Sequence, residues 1–135
     1  IIELLANKTQ NSVIKALDRL ERKIGVKNFR EEFKTITTDN GSEFLDYERI
    51  EKSYTGSKKK RTTQYFANAY SSWQRGSNEN QNKLIRRFLK KGSSFKDLIR
   101  EEVKEIERWM NNYPRKMFGF KSPNEVYEEK LVKLA

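Results

Sequence analysis

The apolar residues at the start of the chain change from a continuous run to helical spacing. The opening run, IIELL, is typical of the end of a strand. After Thr9, a residue type that caps helices, the apolar spacing is helical until Gly25, which supplies a stop. The apolar positions of this stretch are Val13, Ile14, Leu17, Leu20 and Ile24. The pattern predicts a strand followed by an amphipathic helix.

Two short segments in the middle of the chain are typical of strands. FKTIT and TTQYF are rich in β-branched and aromatic residues. The first is followed by the Asn40-Gly41 pair, which favours a turn. A short helix is predicted next from the spacing of Phe44, Tyr47 and Ile50.

The loop TGSKKKR, which precedes the second strand, is polar and basic. Its KKKR sequence, residues 58–61, would either contact phosphate or remain a plain solvated loop, and the solvated loop is slightly favoured.

The second half of the chain is predicted to be helical. One helix runs from Asn78 to Lys91, and an amphipathic helix follows over residues 97–112 until Pro114 ends it. A last helix opens at SPNEVY, where Ser122 and Glu125 form a capping box. Strands mixed with helices, and a helix-rich C-terminal half, indicate the α/β class.

Composition narrows the possible chemistry. The 135 residues carry a net charge of +10, so an anionic partner is expected, and nucleic acid is the commonest one. The chain has no Cys and no His, which excludes thiolate sites, His-ligated zinc and Ser-His or Cys-His nucleophiles. Any metal would be held by carboxylates, which favour Mg²⁺ or Mn²⁺. No apolar run approaches membrane-spanning length.

The helix NENQNKLIRRFLKK carries a stripe of charged residues. Glu79, Lys83, Arg86 and Lys90 share one face, and no acidic residue occurs between Asn80 and Lys96. On its own, this stripe is explained by a solvated face, with the Glu favoured by the helix dipole. Asp39, at the end of a predicted strand, changes that balance, because two carboxylates beside a cationic ridge suit metal-dependent phosphoryl transfer on nucleic acid.

Three longer motifs carry a resemblance to a known family. TTDNGSEF, then YFANAYSSWQRGSNENQNKLIRRFLKKGSSF, then NNYPRKMFGFKSPNEVY resemble the catalytic core of bacterial insertion-sequence transposases of the DDE, integrase-core kind. The resemblance implies a ribonuclease H-like fold, a mixed sheet flanked by helices. It also implies an enzyme that cuts and joins DNA strands with Mg²⁺ (or Mn²⁺) held by three carboxylates.

The resemblance assigns roles by position. Asp39 matches the second catalytic acid and metal ligand, and Glu79 matches the third. Residues expected to support them are Asn40, Asn78 and Asn80. The residues expected to lie along DNA are Arg75, Lys83, Arg86, Arg87 and Lys90. Glu43 is either a further ligand or, as is favoured, a local capping or pairing residue. Arg115 and Lys116 would face DNA or stabilise a helix end.

The family's leading Asp has no counterpart before Asp39, so we expect residues 1–135 to form one catalytic core that lacks its first strands. Such a piece would be inactive by itself. It would cover its exposed sheet edge by strand exchange or by forming a homodimer or higher oligomer, or it would stay helix-rich with a partial sheet. The expected surroundings are the bacterial cytoplasm and nucleoid, with DNA as partner and no membrane. Two other interpretations stay open: a non-catalytic DNA-binding module that uses the basic helix, and a basic domain that binds an acidic protein.

Overall fold

Six α-helices and a two-stranded sheet make up the part of the chain that the computed structural model describes, residues 1–68, 76–88 and 98–134. The chain divides into two units. The N-terminal unit comprises Leu5–Gly76, and the C-terminal unit comprises Ile1–Leu4 together with Ser77–Ala135. The class is mixed α/β, as the sequence predicts.

The elements follow in chain order. The first five are α1 (Gln10–Ile24), α2 (Val26–Glu32), β1 (Thr35–Thr38), α3 (Tyr47–Glu51) and β2 (Thr63–Phe66). The last three are α4 (Gly76–Arg86), α5 (Arg100–Asn112) and α6 (Pro123–Leu134). Short 3-10 helices occupy Ser42–Phe44 and Lys116–Phe118.

The first predicted helix is confirmed as α1, together with both of its ends. The Thr9 hydroxyl accepts a hydrogen bond from the Ser12 backbone N–H at 3.3 Å, so Thr9 is the N-cap. Gly25 ends the helix with φ of 87°, a conformation that favours glycine, and its N–H donates to the Glu21 carbonyl at 2.9 Å. The inward face buries Val13 and Ile14 against Ile50 of α3. Burial of these side chains stabilises the N-terminal unit because it removes apolar surface from water.

Two predictions near the start of the chain need correction. IIELL is not a strand: it forms no ladder in the described residues, and the Ile2 N–H donates instead to the Glu107 carboxylate at 3.0 Å. An apolar run becomes a strand only where a neighbouring strand pairs with it. Conversely, α2 was not predicted, although it follows α1 directly after Gly25. It has seven residues and only one of them, Phe29, is buried, so its sequence shows no helical periodicity.

The two predicted strands are confirmed, and they pair in parallel. Thr35 lies opposite Thr63, and Thr38 lies opposite Phe66. The ladder continues past the strands, since the Ala67 N–H donates to the Thr38 carbonyl at 2.7 Å. Parallel strands have their carboxyl ends at one edge of the sheet. The residue after β1, Asp39, therefore lies at the carboxyl edge.

Arg61 overturns the interpretation of KKKR as a uniformly solvated loop. Its side chain is fully buried, with Nη1 2.6 Å from Asp18 Oδ1 and 3.4 Å from Glu21 Oε2. Nε also donates to the Ile50 carbonyl at 2.7 Å. Glu21 is buried too, and it accepts hydrogen bonds from the Ser53 hydroxyl at 2.7 Å and the Tyr54 N–H at 3.1 Å. These residues form a buried ionic cluster that joins α1 to the start of β2.

The C-terminal unit packs α5 against α6. Val103, Ile106 and Met110 are buried on α5, so its predicted amphipathic pattern is confirmed. The helix begins at Arg100, later than predicted. The predicted capping box of α6 is also present. The Ser122 N–H donates to Glu125 Oε2 at 2.7 Å, and the Glu125 N–H donates to the Ser122 hydroxyl at 3.3 Å. The hydrogen bond from the Ser122 backbone holds the pKa of Glu125 below its usual value.

Candidate functional site

The segment from Asp39 to Glu43, here called the Asp39 loop, follows β1 at the carboxyl edge of the sheet. Asp39 is half-buried, and its Oδ1 accepts a hydrogen bond from the Gly41 N–H at 3.1 Å. This local bond is typical of Asp in a turn, and it fixes the carboxylate relative to the strand end. Asn40, one of the expected supporting residues, is exposed.

Glu43 brings a second carboxylate to the same loop. Its Oε1 lies 3.5 Å from Lys8 Nζ, so Glu43 is paired, but its partner comes from before α1 and not from the local sequence as predicted. Its Oε2 is buried and has no hydrogen-bond partner among the described residues. A Cβ placed on Gly41 would lie 2.7 Å from Glu43 Oε2 and 2.9 Å from Asp39 Oδ1. The two oxygens are therefore no further apart than these two distances combined, and a Cβ at position 41 would force at least one of the two carboxylates to move.

Gln64 of β2 holds both ends of the Asp39 loop. Its buried side-chain Nε2 donates to the Thr38 hydroxyl and to the Phe44 carbonyl, each at 2.9 Å. Thr38 precedes Asp39, and Phe44 follows Glu43. The sheet register sets this contact because Gln64 lies opposite Ile36, two positions before Thr38. Sequence patterns did not single out Gln64, since a polar residue within a four-residue strand is more often exposed.

Replacing Gln64 with Leu is expected to lower the free energy of unfolding by about 1–3 kcal/mol, because the buried Thr38 hydroxyl and the half-buried Phe44 carbonyl both lose their donor. Urea unfolding measures the effect. The matched control is Gln10→Leu, whose side chain donates to the same loop at the Ser42 carbonyl (3.0 Å) in an exposed contact. The control should cost less than about 1 kcal/mol. Equal losses in the two variants would contradict the role of Gln64.

The basic helix is confirmed as α4, with Glu79 exposed in its first turn. It begins at Gly76, before the predicted start at Asn78, and ends at Arg86, earlier than predicted. An acidic side chain there is favoured by the helix dipole. Lys83 and Arg86 are exposed, and Arg87 is exposed just beyond the helix, whereas Leu84 and Ile85 are half-buried. The cationic residues therefore present their charge to solvent on the face away from the apolar contacts.

The remaining predicted residues fall in three groups. Asn78 lies in the first turn of α4, and Asn80 is exposed on it. Arg75 and Lys90 lie outside the described residues.

Arg115 is half-buried, and its Nη2 donates to Gln81 Oε1 at 3.3 Å and to the Met110 carbonyl at 3.4 Å. It thus connects α4 to the end of α5, which favours a positioning role for Arg115, while Lys116 is exposed.

Asp39 belongs to the N-terminal unit and Glu79 to the C-terminal unit, so their convergence on one cation stays a prediction. Within residues 1–68, 76–88 and 98–134, no three acidic side chains form a metal-binding group. The Asp39 loop does fit a hard divalent ion in its chemistry. Such ions bind carboxylate oxygens, and the unpartnered Glu43 Oε2 lies beside Asp39.

Comparison with known proteins supplies the remaining observation. Over 95 residues, 70% of this chain, it is 42% identical to the transposase for insertion sequence element IS4351 of Bacteroides fragilis. This chain is homologous to insertion-sequence transposases. It is 39% identical to the probable transposase for the insertion-like sequence element IS1161 of Streptococcus salivarius. It is 37% identical to the transposase for IS30A of Escherichia coli K12, and each match covers 70% of this chain.

The chain spans only about a quarter of the length of these transposases: 27%, 25% and 23% respectively. No protein-family model matches the chain, and no solved structure matches it. Among the described residues, no helix combines the length and the apolar character needed to cross a membrane.

Proposed function

We propose that this chain is part of the catalytic core of a DDE transposase with a ribonuclease H-like fold. The observation that carries the proposal is the identity of up to 42% to insertion-sequence transposases over 70% of the chain. The position of Asp39 supports it, because the carboxyl edge of a parallel sheet is where α/β proteins bind ligands. The two parallel strands fit such a sheet.

In the proposed reaction, Asp39 and Glu79 would hold the divalent ion, Mg²⁺ or Mn²⁺. Glu43, whose Oε2 lies near Asp39 Oδ1, would add a further negative charge on the Asp39 side. The ion, when bound, activates the attacking oxygen and stabilises the leaving oxygen. Water attacks the phosphorus at an element end, and the bond between phosphorus and the 3′ oxygen breaks. The released 3′-hydroxyl then attacks a phosphodiester of the target DNA. A new bond forms between phosphorus and this 3′ oxygen, the target's own bond between phosphorus and its 3′ oxygen breaks, and the target's 3′-hydroxyl leaves with the proton.

The exposed cations on α4 and just after it are proposed to bind the DNA backbone beside the acids. Lys83, Arg86 and Arg87 would each neutralise a phosphate and release counterions, which makes binding weaker as salt increases. Asn78 and Asn80, next to Glu79 in the sequence, are proposed to orient its carboxylate. Arg115 keeps α4 in place through Gln81.

The proposed setting follows from the same activity. A transposase acts on chromosomal DNA, so we propose a cytoplasmic, nucleoid-associated protein. The homodimer or higher oligomer also remains a proposal, and light scattering of the purified chain tests it: a well-folded monomer would contradict it.

The proposal is tested by measuring DNA binding and DNA nicking together. Plasmid DNA is incubated with the chain over a range of Mn²⁺ concentrations, while fluorescence anisotropy follows binding to duplex DNA at several salt concentrations. We expect salt-dependent binding. Nicking that requires Mn²⁺ would show that residues 1–135 are catalytic even without a counterpart of the family's first acid.

The other outcomes discriminate between the alternatives. Salt-dependent binding with no nicking at any Mn²⁺ concentration would favour a non-catalytic DNA-binding module. Binding that does not respond to salt would contradict every nucleic-acid function, because phosphate contacts always release counterions.

A further inference from the structure

The N-terminal unit has a basic groove at the amino ends of its two strands. The groove has a volume of about 650 Å³ and lies between α2 and the residues that lead into β2. Five cationic residues with exposed or half-buried side chains line it: Lys27, Arg30, Lys34, Lys59 and Lys60. Glu31 is the only acidic residue that lines it within the described residues. We call it the amino-end groove.

Hydrogen bonds fix the two walls of the amino-end groove to each other. Arg30 of α2 donates through Nη2 to the Lys59 carbonyl at 2.9 Å and through Nε to the Lys60 carbonyl at 3.1 Å. The next residue, Arg61, is buried in the ionic cluster. The loop backbone thus faces inward while its lysine side chains stay exposed. The backbone walls of the groove are preformed, so a ligand would have to order only the lysine side chains.

Not all of this charge is available to a ligand. Lys60 forms an ion pair with the buried Glu51. Burial opposes ionisation of Glu51, but the hydrogen bonds from Lys60 and from the Gln64 N–H outweigh it, so the pKa of Glu51 is lowered. Three exposed lysines remain on the groove: Lys27, Lys34 and Lys59.

The sheet separates this groove from the Asp39 loop. Lys34 precedes β1, and Thr63, which also lines the groove, begins β2. Asp39 follows β1 at the other end. A four-residue strand is about 13 Å long, so one phosphodiester cannot touch both places. A ligand in the groove is therefore a different part of the nucleic acid from the one held at Asp39.

We propose that the amino-end groove binds the phosphodiester backbone of duplex DNA, at a stretch separate from the one at the carboxyl edge of the sheet. The choice of DNA as the polyanion rests on the proposed function. That the groove binds a polyanion is inferred from its charge, its shape and its fixed walls. It would hold DNA that flanks the reacting phosphodiester and so contribute affinity without sequence recognition.

The test compares two triple variants of equal charge change. In the groove variant, Lys27, Lys34 and Lys59 are replaced by Gln. In the control variant, Lys15, Lys52 and Lys104 are replaced by Gln. These three lysines are exposed and do not line the groove. Fluorescence anisotropy with duplex DNA at about 50 to 200 mM salt gives the slope of log affinity against log salt.

We expect the groove variant to reduce the magnitude of this slope by about 2 to 3, because each phosphate contact contributes about 0.9. The control variant should keep most of the wild-type slope. Thermal unfolding by circular dichroism checks that both variants fold, as substitutions of exposed lysines should allow.

The same measurements separate this inference from the proposed function. Equal slopes in the two variants would overturn the groove, even if Mn²⁺-dependent nicking is found. A selective loss in the groove variant supports the groove, even if no nicking occurs at any Mn²⁺ concentration. Absence of salt-dependent DNA binding in the wild-type chain would overturn both.

Discussion

Replacing Arg61 with Met is expected to lower the free energy of unfolding by about 3–5 kcal/mol, because removal of one partner leaves a buried charge uncompensated. Glu21 is fully buried, and Arg61 is the cation that faces it at 3.4 Å. The change also removes the donor to the Ile50 carbonyl. Met retains much of the apolar bulk of Arg, so the lost stability reflects the missing ionic contacts more than the creation of a cavity.

Urea unfolding followed by circular dichroism measures this effect, and hydrogen exchange of the α1 amides assigns it to the N-terminal unit. The matched control is Lys59→Met, an exposed position two residues earlier, which should change the stability by less than about 0.5 kcal/mol. Adding Glu21→Gln to Arg61→Met should recover part of the loss, since it removes the uncompensated charge. A single Arg61→Met variant as stable as the control would show that the buried cluster does not stabilise the fold.

Replacing Asp39 with Asn is expected to weaken Mn²⁺ binding by at least about 100-fold. Loss of a group that only orients a metal ligand lowers the metal affinity about 10–100-fold, and loss of the ligand itself should lower it more. Asn keeps the size of the side chain and can still accept the hydrogen bond from the Gly41 N–H, so the turn should persist. Any metal-dependent nicking should fall with the metal affinity. Isothermal titration calorimetry with Mn²⁺ gives the dissociation constants.

Asp46→Asn is the matched control for this variant. Asp46 caps α3 by accepting the Arg49 N–H at 3.2 Å, and Asn is an equally good N-cap. The control makes the same chemical change in the same unit and should leave the Mn²⁺ affinity unchanged. If Asp39→Asn and Asp46→Asn bind Mn²⁺ equally well, Asp39 is not a metal ligand.

The elements that sequence patterns predicted correctly are those with local signals at their ends. The Thr9 cap and Gly25 bound α1, and the Ser122–Glu125 capping box begins α6. The amphipathic spacing of α5 matches its buried face. Where such a signal was missing, as for α2, or where pairing was required, as for IIELL, the prediction was wrong. Propensity is a weak guide to short segments because tertiary contacts override it.

The candidate site was predictable only where it has a local sequence signal. The Asn-Gly turn after a β-branched segment indicated that Asp39 ends a strand, and it does. The orientation of Glu43 toward Asp39 depends on close packing at Gly41, and Gln64 reaches the loop only through the parallel register of β1 and β2. The two hydrogen bonds of Gln64 join segments about 20 residues or more apart, which periodicity does not report.

The sequence by itself determined the charge of this protein, the absence of His and Cys chemistry, the capped helices and the motifs shared with insertion-sequence transposases. The tertiary structure decided which charges are available. Of the four consecutive basic residues 58–61, three are exposed and Arg61 is buried, because Asp18 and Glu21 on a distant helix meet its guanidinium. A buried charge is tolerated only where partners from elsewhere in the chain surround it, and local sequence carries no record of them.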